Sequence, residues 1–165
     1  DTRADGVWTG EPGWPCVVLT ADCLPVLLAR QDGSAVAAVH AGWRGLHGGI
    51  LGRAVATLAP GGEPLSAWLG PAISARAYQV GEDVHRAFVS LGPEYQAAFS
   101  RDSQPNHWRF SLAHAATLAL NAAGVFEVAG GDHCTASDPV HFYSYRAEGQ
   151  TGRFATMVWL EPAPA

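Results

Sequence analysis

The sequence predicts one α/β domain built on a mixed sheet. Three observations carry that expectation. Apolar runs rich in β-formers alternate along the chain with segments of helical spacing. The chain has 165 residues, a length that suits a single domain with a sizeable core. Hydrophobic residues make up 48% and charged residues only 15%, a balance that excludes a disordered chain.

Cys16–Thr20 and residues 25–29 read as the first strands, separated by Ala21-Asp22-Cys23. Gln31-Asp32-Gly33-Ser34 is a turn signal, and residues 35–40 follow as the next buried strand. Ile50, Leu51, Ala54, Val55 and Leu58 fall at helical spacing, and that helix stops before Pro60-Gly61-Gly62. Ala67-Trp68-Leu69 is a short strand running into Gly70-Pro71. Val84, Phe88 and Leu91 suggest a second helix, ended by Gly92-Pro93. Residues 112–123 form a third, with Ser111 as its N-cap and Gly124 just past its end. Residues 125–128 read as a strand. Residues 142–145 and 154–160 read as two more, joined by the Gly149-Gln150-Thr151-Gly152 turn. The tail from Pro162 is expected to fray. With no repeat or linker in between, residues 1–165 are expected to form one domain.

Ten basic residues against fifteen acidic ones give a formal charge of −5, which offers no footprint for nucleic acid. All ten basic residues are arginine, so Schiff-base and P-loop lysine chemistry is excluded. Cys16, Cys23 and Cys134 are odd in number and contain no CxxC pair. They suit a reducing compartment or a single reactive site rather than a disulfide framework. Asp22 interrupts the longest apolar run, so no stretch reaches the roughly 18 residues of a membrane span. No signal-peptide pattern opens the chain, and the expected location is the cytoplasm. The residues Asp1 to Gly6 read as the interior of a longer chain.

Four stretches could carry chemistry. In Thr20-Ala21-Asp22-Cys23-Leu24-Pro25 an acid and a thiol sit at a break between two strands, where side chains can face a cleft. A buried cysteine beside a turn aspartate would read the same way. In Val39-His40-Ala41-Gly42-Trp43-Arg44-Gly45 a histidine ends a strand, and Arg44 and Gly45 lead toward a helix N-terminus that favours anions. Adjacent strand ends would bring Cys23 and His40 together. Such a pair can be a thiolate–imidazole nucleophile or two ligands of a metal such as zinc, and spacing does not choose between them.

Gly70-Pro71-Ala72-Ile73 and Tyr78-Gln79-Val80-Gly81 form the third stretch, loops able to line the same cleft. The fourth joins Cys134-Thr135 to Phe142-Tyr143-Ser144-Tyr145-Arg146 and Thr151-Gly152-Arg153. Its two arginines could clamp a phosphate or carboxylate, or could lie at a solvated hairpin tip. His47, His85, His107 and His114 read as surface or packing residues in or beside helices. His133 and His141 bracket the Cys134 loop as spare ligands. Of six tryptophans, Trp43 is the best candidate for a substrate-facing ring.

These four stretches, in this order, closely resemble the YfiH/YlmD family, also called the laccase-domain or polyphenol-oxidase family. The resemblance runs from Ala4-Asp5-Gly6 to the last strand, and its Ala21-Asp22-Cys23 and His40-Ala41-Gly42-Trp43-Arg44-Gly45 motifs are highly specific. It implies an α/β/β/α layered fold shared distantly with cytotoxic necrotizing factors. It also implies a zinc site, with copper proposed too, made by two histidines and a cysteine. Cys23 and His40 match two of those ligands. The third lies in a Gln-Val-His-Gly segment upstream that this chain does not contain, so the chain is expected to be N-terminally incomplete relative to the family. Two further positions depart from the family pattern, Ala77 before Tyr78 and Ala147 after Arg146.

The resemblance implies phosphorolysis of adenosine, inosine and methylthioadenosine, with adenosine deamination. Asp22 is then a conceivable proton carrier. Arg44, Arg146 and Arg153 would place phosphate, and Trp43 or Tyr145 would stack the purine. The partners implied are a purine nucleoside and phosphate. Three other readings stand beside this one: a copper polyphenol oxidase, a metal-free Cys23–His40 hydrolase, and a non-catalytic binding module.

Overall fold

The structure is a computed structural model and describes residues 4–162. The expected fraying tail therefore lies outside the described residues from 163 onward. Its framework is a five-stranded sheet in the order β1-β4-β3-β5-β9. The strands are β1 (Gly6–Thr9), β3 (Leu24–Arg30), β4 (Val36–Ala41), β5 (Leu65–Leu69) and β9 (Glu127–Gly130). All neighbours run antiparallel except β5 and β9, which are parallel, so the sheet is mixed as expected.

A second, two-stranded sheet pairs β2 (Cys16–Thr20) antiparallel with β10 (Phe154–Val158). The near-continuous apolar character of β3 and β4 has a physical cause, because both faces of these strands are covered. On one face Val26, Leu28, Ala37 and Val39 pack with Leu51, Val55 and Leu58 of α2 (Ile50–Leu58) and with Leu120 of α4 (Leu112–Ala122). On the other, Leu27, Ala29, Val36 and Ala38 pack with Cys16 and Val18 of β2. By strand alternation His40 shares the β2 face with Ala38.

Helix α4 has the caps the sequence announces. The Ser111 hydroxyl accepts from the His114 N–H at 3.2 Å, and Gly124 takes φ 88° just past the end. A third sheet, β6-β8-β7, was not legible in the sequence. It comprises β6 (Gln79–Gly81), β7 (Phe99–Arg101) and β8 (His107–Phe110). Its strands are three or four residues long, too short to print a clear alternation. With α3 (Glu82–Val89) it encloses an aromatic cluster in which Phe99 stacks on Phe110 at 4.4 Å and Phe88 lies 4.8 Å from Phe110. Tyr78 rests on that cluster, 5.9 Å from Phe110.

Several expectations are corrected. Residues 142–145 are not a strand: Tyr145–Glu148 is a short helix, α5, with the Ser144 hydroxyl accepting from the Ala147 N–H at 3.2 Å. No hairpin forms across residues 149–152, because β10 pairs with β2, placing Phe154 opposite Thr20. The β-forming composition of 154–158 is satisfied by a partner more than 130 residues away in the chain. The strand expected at 125–128 sits two residues later, as Val125 is buried at the end of the α4 turn. Leu91 is exposed beyond α3, and His107 belongs to a strand rather than a helix. Among the described residues no helix is long and apolar enough to cross a membrane.

Candidate active site

Strand alternation and one unusual turn build the site. Between β2 and β3 the chain turns at Asp22, whose φ of 88° lies in the left-handed region that aspartate tolerates better than most residues. This turn delivers Cys23 just before β3, across from the end of β4, where Pro25 pairs with His40. The Cys23 thiol and the His40 ring are therefore neighbours. On the far side of the ring, His40 Nδ1 lies 3.1 Å from Asp5 Oδ1, and the His40 backbone N–H donates to the Asp5 carbonyl at 2.7 Å. The hydrogen bond with Cys23 and the Asp5 carboxylate hold the His40 imidazole at about 9, against the opposing effect of its burial.

The cleft around this pair has a volume of about 580 Å³, within the range of small-molecule sites. Asp22, Cys23, His40 and Trp43 line it, as do Arg44, Tyr145, Arg146 and Arg153. All the candidate site residues thus meet in one place, although they span residues 22–153. Ile73, Tyr78 and Leu112 add an apolar wall. Burial pushes the Tyr78 hydroxyl up to about 12, so it stays protonated near neutrality.

The arginines are arranged differently from one another. Arg44 lies over the Trp43 indole, 4.5 Å from the ring centroid, so one face of that ring is already covered. Arg146 lies 5.1 Å from the Tyr78 ring and donates to the Gln79 carbonyl at 3.1 Å. Arg153 donates to the carbonyls of Thr151 and Gly152. Among the described residues none of the three is in an ion pair with a carboxylate. The helix expected after Arg44 is corrected: α1 (Trp43–His47) already contains Arg44 and has only five residues. So short a helix has little terminal field, and the anion-attracting capacity rests on the guanidinium groups.

Some expected participants stay outside. His133 and His141 do not line the cleft. Cys134 is set apart too: burial raises its thiol, but hydrogen bonds from Ser137 and Ser74 outweigh this and hold it below its ordinary value. His85 is a packing residue, stacked on Trp108 at 3.7 Å. Asp5 was missed as a site residue, and Thr135, although in the fourth stretch, was given no role of its own. Asp5 carries no local signal because its partner lies 35 residues away, and Thr135 reaches the site only through Asp22.

A soft thiol and an imidazole backed by a carboxylate are donors of the kind zinc takes. The set has only two members, however, and among the described residues no group of three His, Cys, Asp or Glu could hold a metal ion. The residues present therefore fit a metal in kind but not in number, and no catalytic step is derived through one.

The chain resembles known proteins over almost its whole length. A purine nucleoside phosphorylase of Pseudomonas aeruginosa is 46% identical over 159 residues, covering 96% of this chain and 66% of the relative. Purine nucleoside phosphorylase YfiH of Escherichia coli is 42% identical over 158 residues, covering 96% and 64%. The crystal structure of a Neisseria meningitidis protein superposes with a TM-score of 0.91 at 45% identity, covering 96% of this chain and 65% of that one. YlmD from Geobacillus stearothermophilus gives 0.87 at 30% identity, covering 97% and 62%. The chain thus spans about two thirds of the length of the curated relatives it matches. Residues 1–161 match the family model described as multi-copper polyphenol oxidoreductase laccase, and with these relatives they show that the chain belongs to the YfiH family.

Proposed function

We propose that this chain carries the cleft of a purine nucleoside phosphorylase acting on adenosine, inosine and methylthioadenosine. One observation carries the reading: Arg44, Arg146 and Arg153 converge from three separate segments on one cleft, and among the described residues no carboxylate is paired to any of them. Three guanidinium groups free of carboxylates favour a multiply charged anion such as phosphate. The names of the relatives point the same way.

In this reading a phosphate oxygen attacks the anomeric carbon of the ribose as the bond to the purine nitrogen breaks. The proton of hydrogen phosphate ends on the departing base. Arg44 and Arg146 hold the phosphate in line and screen its charge as the bond forms. Ile73, Tyr78 and Leu112 give the base an apolar wall, and Tyr145 or Trp43 stacks it. Adenosine deamination, the second activity that the resemblance implies, belongs to the same proposal. A zinc or copper ion would take Cys23 and His40 as two of its ligands. The proposed location is the cytoplasm.

The test is release of free base from inosine, adenosine and methylthioadenosine with and without phosphate, together with metal content by mass spectrometry. It is run on this chain and on the protein at its relatives' full length. Phosphate-dependent release supports the reading; release that ignores phosphate, or none at either length, overturns it.

A second reading is favoured by the Asp5–His40–Cys23 line, an orienting carboxylate, an imidazole and a thiol in sequence. It is a metal-free hydrolase, and it predicts activity that survives chelation and is lost when iodoacetamide labels Cys23. Multicopper oxidation calls for several histidine ligands, and the cleft is lined by one, His40.

A further inference from the structure

We propose that Asp22 is a positioning residue that fixes Cys23 and Arg146 relative to each other, and that it carries no proton in the reaction. Asp22 is 8% exposed and lines the cleft. Its Oδ1 accepts from the Thr135 hydroxyl at 2.6 Å, and its Oδ2 accepts from the Arg146 backbone N–H at 2.6 Å. Its carbonyl accepts from the Ile73 N–H at 3.0 Å. One residue therefore ties the β2–β3 turn to three segments, two of them 113 and 124 positions away in the chain.

The geometry explains why these contacts matter. Helix α5 has four residues, and its first N–H groups have no partners within it. Ser144 takes the N–H of Ala147, and Asp22 takes that of Arg146. The start of α5 is thus capped from another part of the fold, and the Arg146 side chain leaves the backbone at a fixed point over Tyr78. Cys23 is the next residue after Asp22, so the φ of 88° at Asp22 sets where the thiol emerges. A proton carrier must offer an oxygen to the substrate, and both oxygens here are aimed at protein donors.

Asparagine separates the two roles. It keeps one oxygen for the Arg146 N–H, can donate its amide to the rotatable Thr135 hydroxyl, and tolerates positive φ. Alanine loses both contacts and is strained at this φ. The part of the test that uses turnover rests on the phosphorylase reading; the part that uses Cys23 chemistry does not. Asp22→Asn, Asp22→Ala and Thr135→Val are compared with the unaltered chain by phosphorolysis kinetics. After treatment with a chelator, the rate of iodoacetamide labelling at Cys23 is also followed by peptide mass spectrometry.

Asp22→Asn is expected to keep turnover within about threefold and to label Cys23 at an unchanged rate. Asp22→Ala is expected to raise the KM for phosphate about tenfold or more and to shift the labelling rate by a similar factor. Thr135→Val leaves the acid in place and is expected to shift labelling in the same direction by a smaller factor. If Asp22→Ala does not fold, the asparagine and valine variants decide alone. Turnover lost in Asp22→Asn with KM and Cys23 labelling unchanged would mean a proton carrier and overturns the proposal, as does unaltered labelling in both Asp22→Ala and Thr135→Val. If neither this chain nor the protein at its relatives' full length shows phosphorolysis, the functional reading fails while the labelling rates still judge Asp22.

Discussion

The α-carbon of Gly42 stands against the sulfur of Cys23: a methyl group built on it would lie 3.0 Å from Sγ and 3.9 Å from His40 Cε1. Gly42 itself has φ −70° and ψ 165°, a conformation open to any residue, so space alone calls for glycine here. Gly42→Ala is expected to push the thiol off the imidazole and lower turnover about tenfold to 100-fold. Overpacking of this kind costs about 1–3 kcal/mol, which a thermal melt would register as a drop of several degrees. Unchanged turnover in a folded variant would show that the Cys23–His40 contact is not used.

Loss of a guanidinium from the cleft should be felt by the anion first. Arg44→Ala and Arg146→Ala are each expected to raise the KM for phosphate about tenfold or more, with a smaller change for the nucleoside. Arg146→Lys keeps the charge but loses the planar fork, and is expected to fall between the two. Steady-state kinetics with each substrate varied in turn decide the point. An equal rise in both KM values would argue against a dedicated phosphate contact.

Asp5 holds His40 from behind through Nδ1. Removing such a partner from a functional histidine typically costs about 10- to 100-fold in activity. Asp5→Ala is expected to show that loss with little change in melting temperature, since the Asp5 side chain is 64% exposed. Activity within twofold of the unaltered chain would make the contact incidental.

Acid should weaken the small sheet through Glu82. The Trp108 indole N–H donates to its carboxylate at 2.7 Å, and Arg86 adds a further contact, so its carboxyl sits below the ordinary 4.5. A depressed folded-state value gives stability that is present above about pH 4.5 and lost as pH falls through the lower value. The melting temperature is expected to drop as pH falls below the ordinary 4.5 toward the lowered value. Glu82→Gln should flatten part of that drop; an identical acid profile would remove Glu82 from the account.

Much of the fold could be read locally. β2 to β5 and helices α2 and α4 announce themselves through runs of apolar residues and through caps such as Ser111 and Gly124, because period and propensity act within a few residues. The residue types needed for the cleft were legible for the same reason, as a thiol, an imidazole and arginines placed at strand ends and loops. Pairings between distant segments were not. Residues 142–145 had the composition of a strand, yet no partner strand was available, and the Ser144 hydroxyl and Asp22 carboxylate capped a helix there instead. The roles of Asp5 and Thr135 were hidden because each depends on a partner 35 or 113 positions away. Local patterning thus settled which groups this protein brings to its cleft. Which of them touch follows from the folded arrangement, since a hydrogen bond depends on position in space and local propensity carries no information about a partner on another strand.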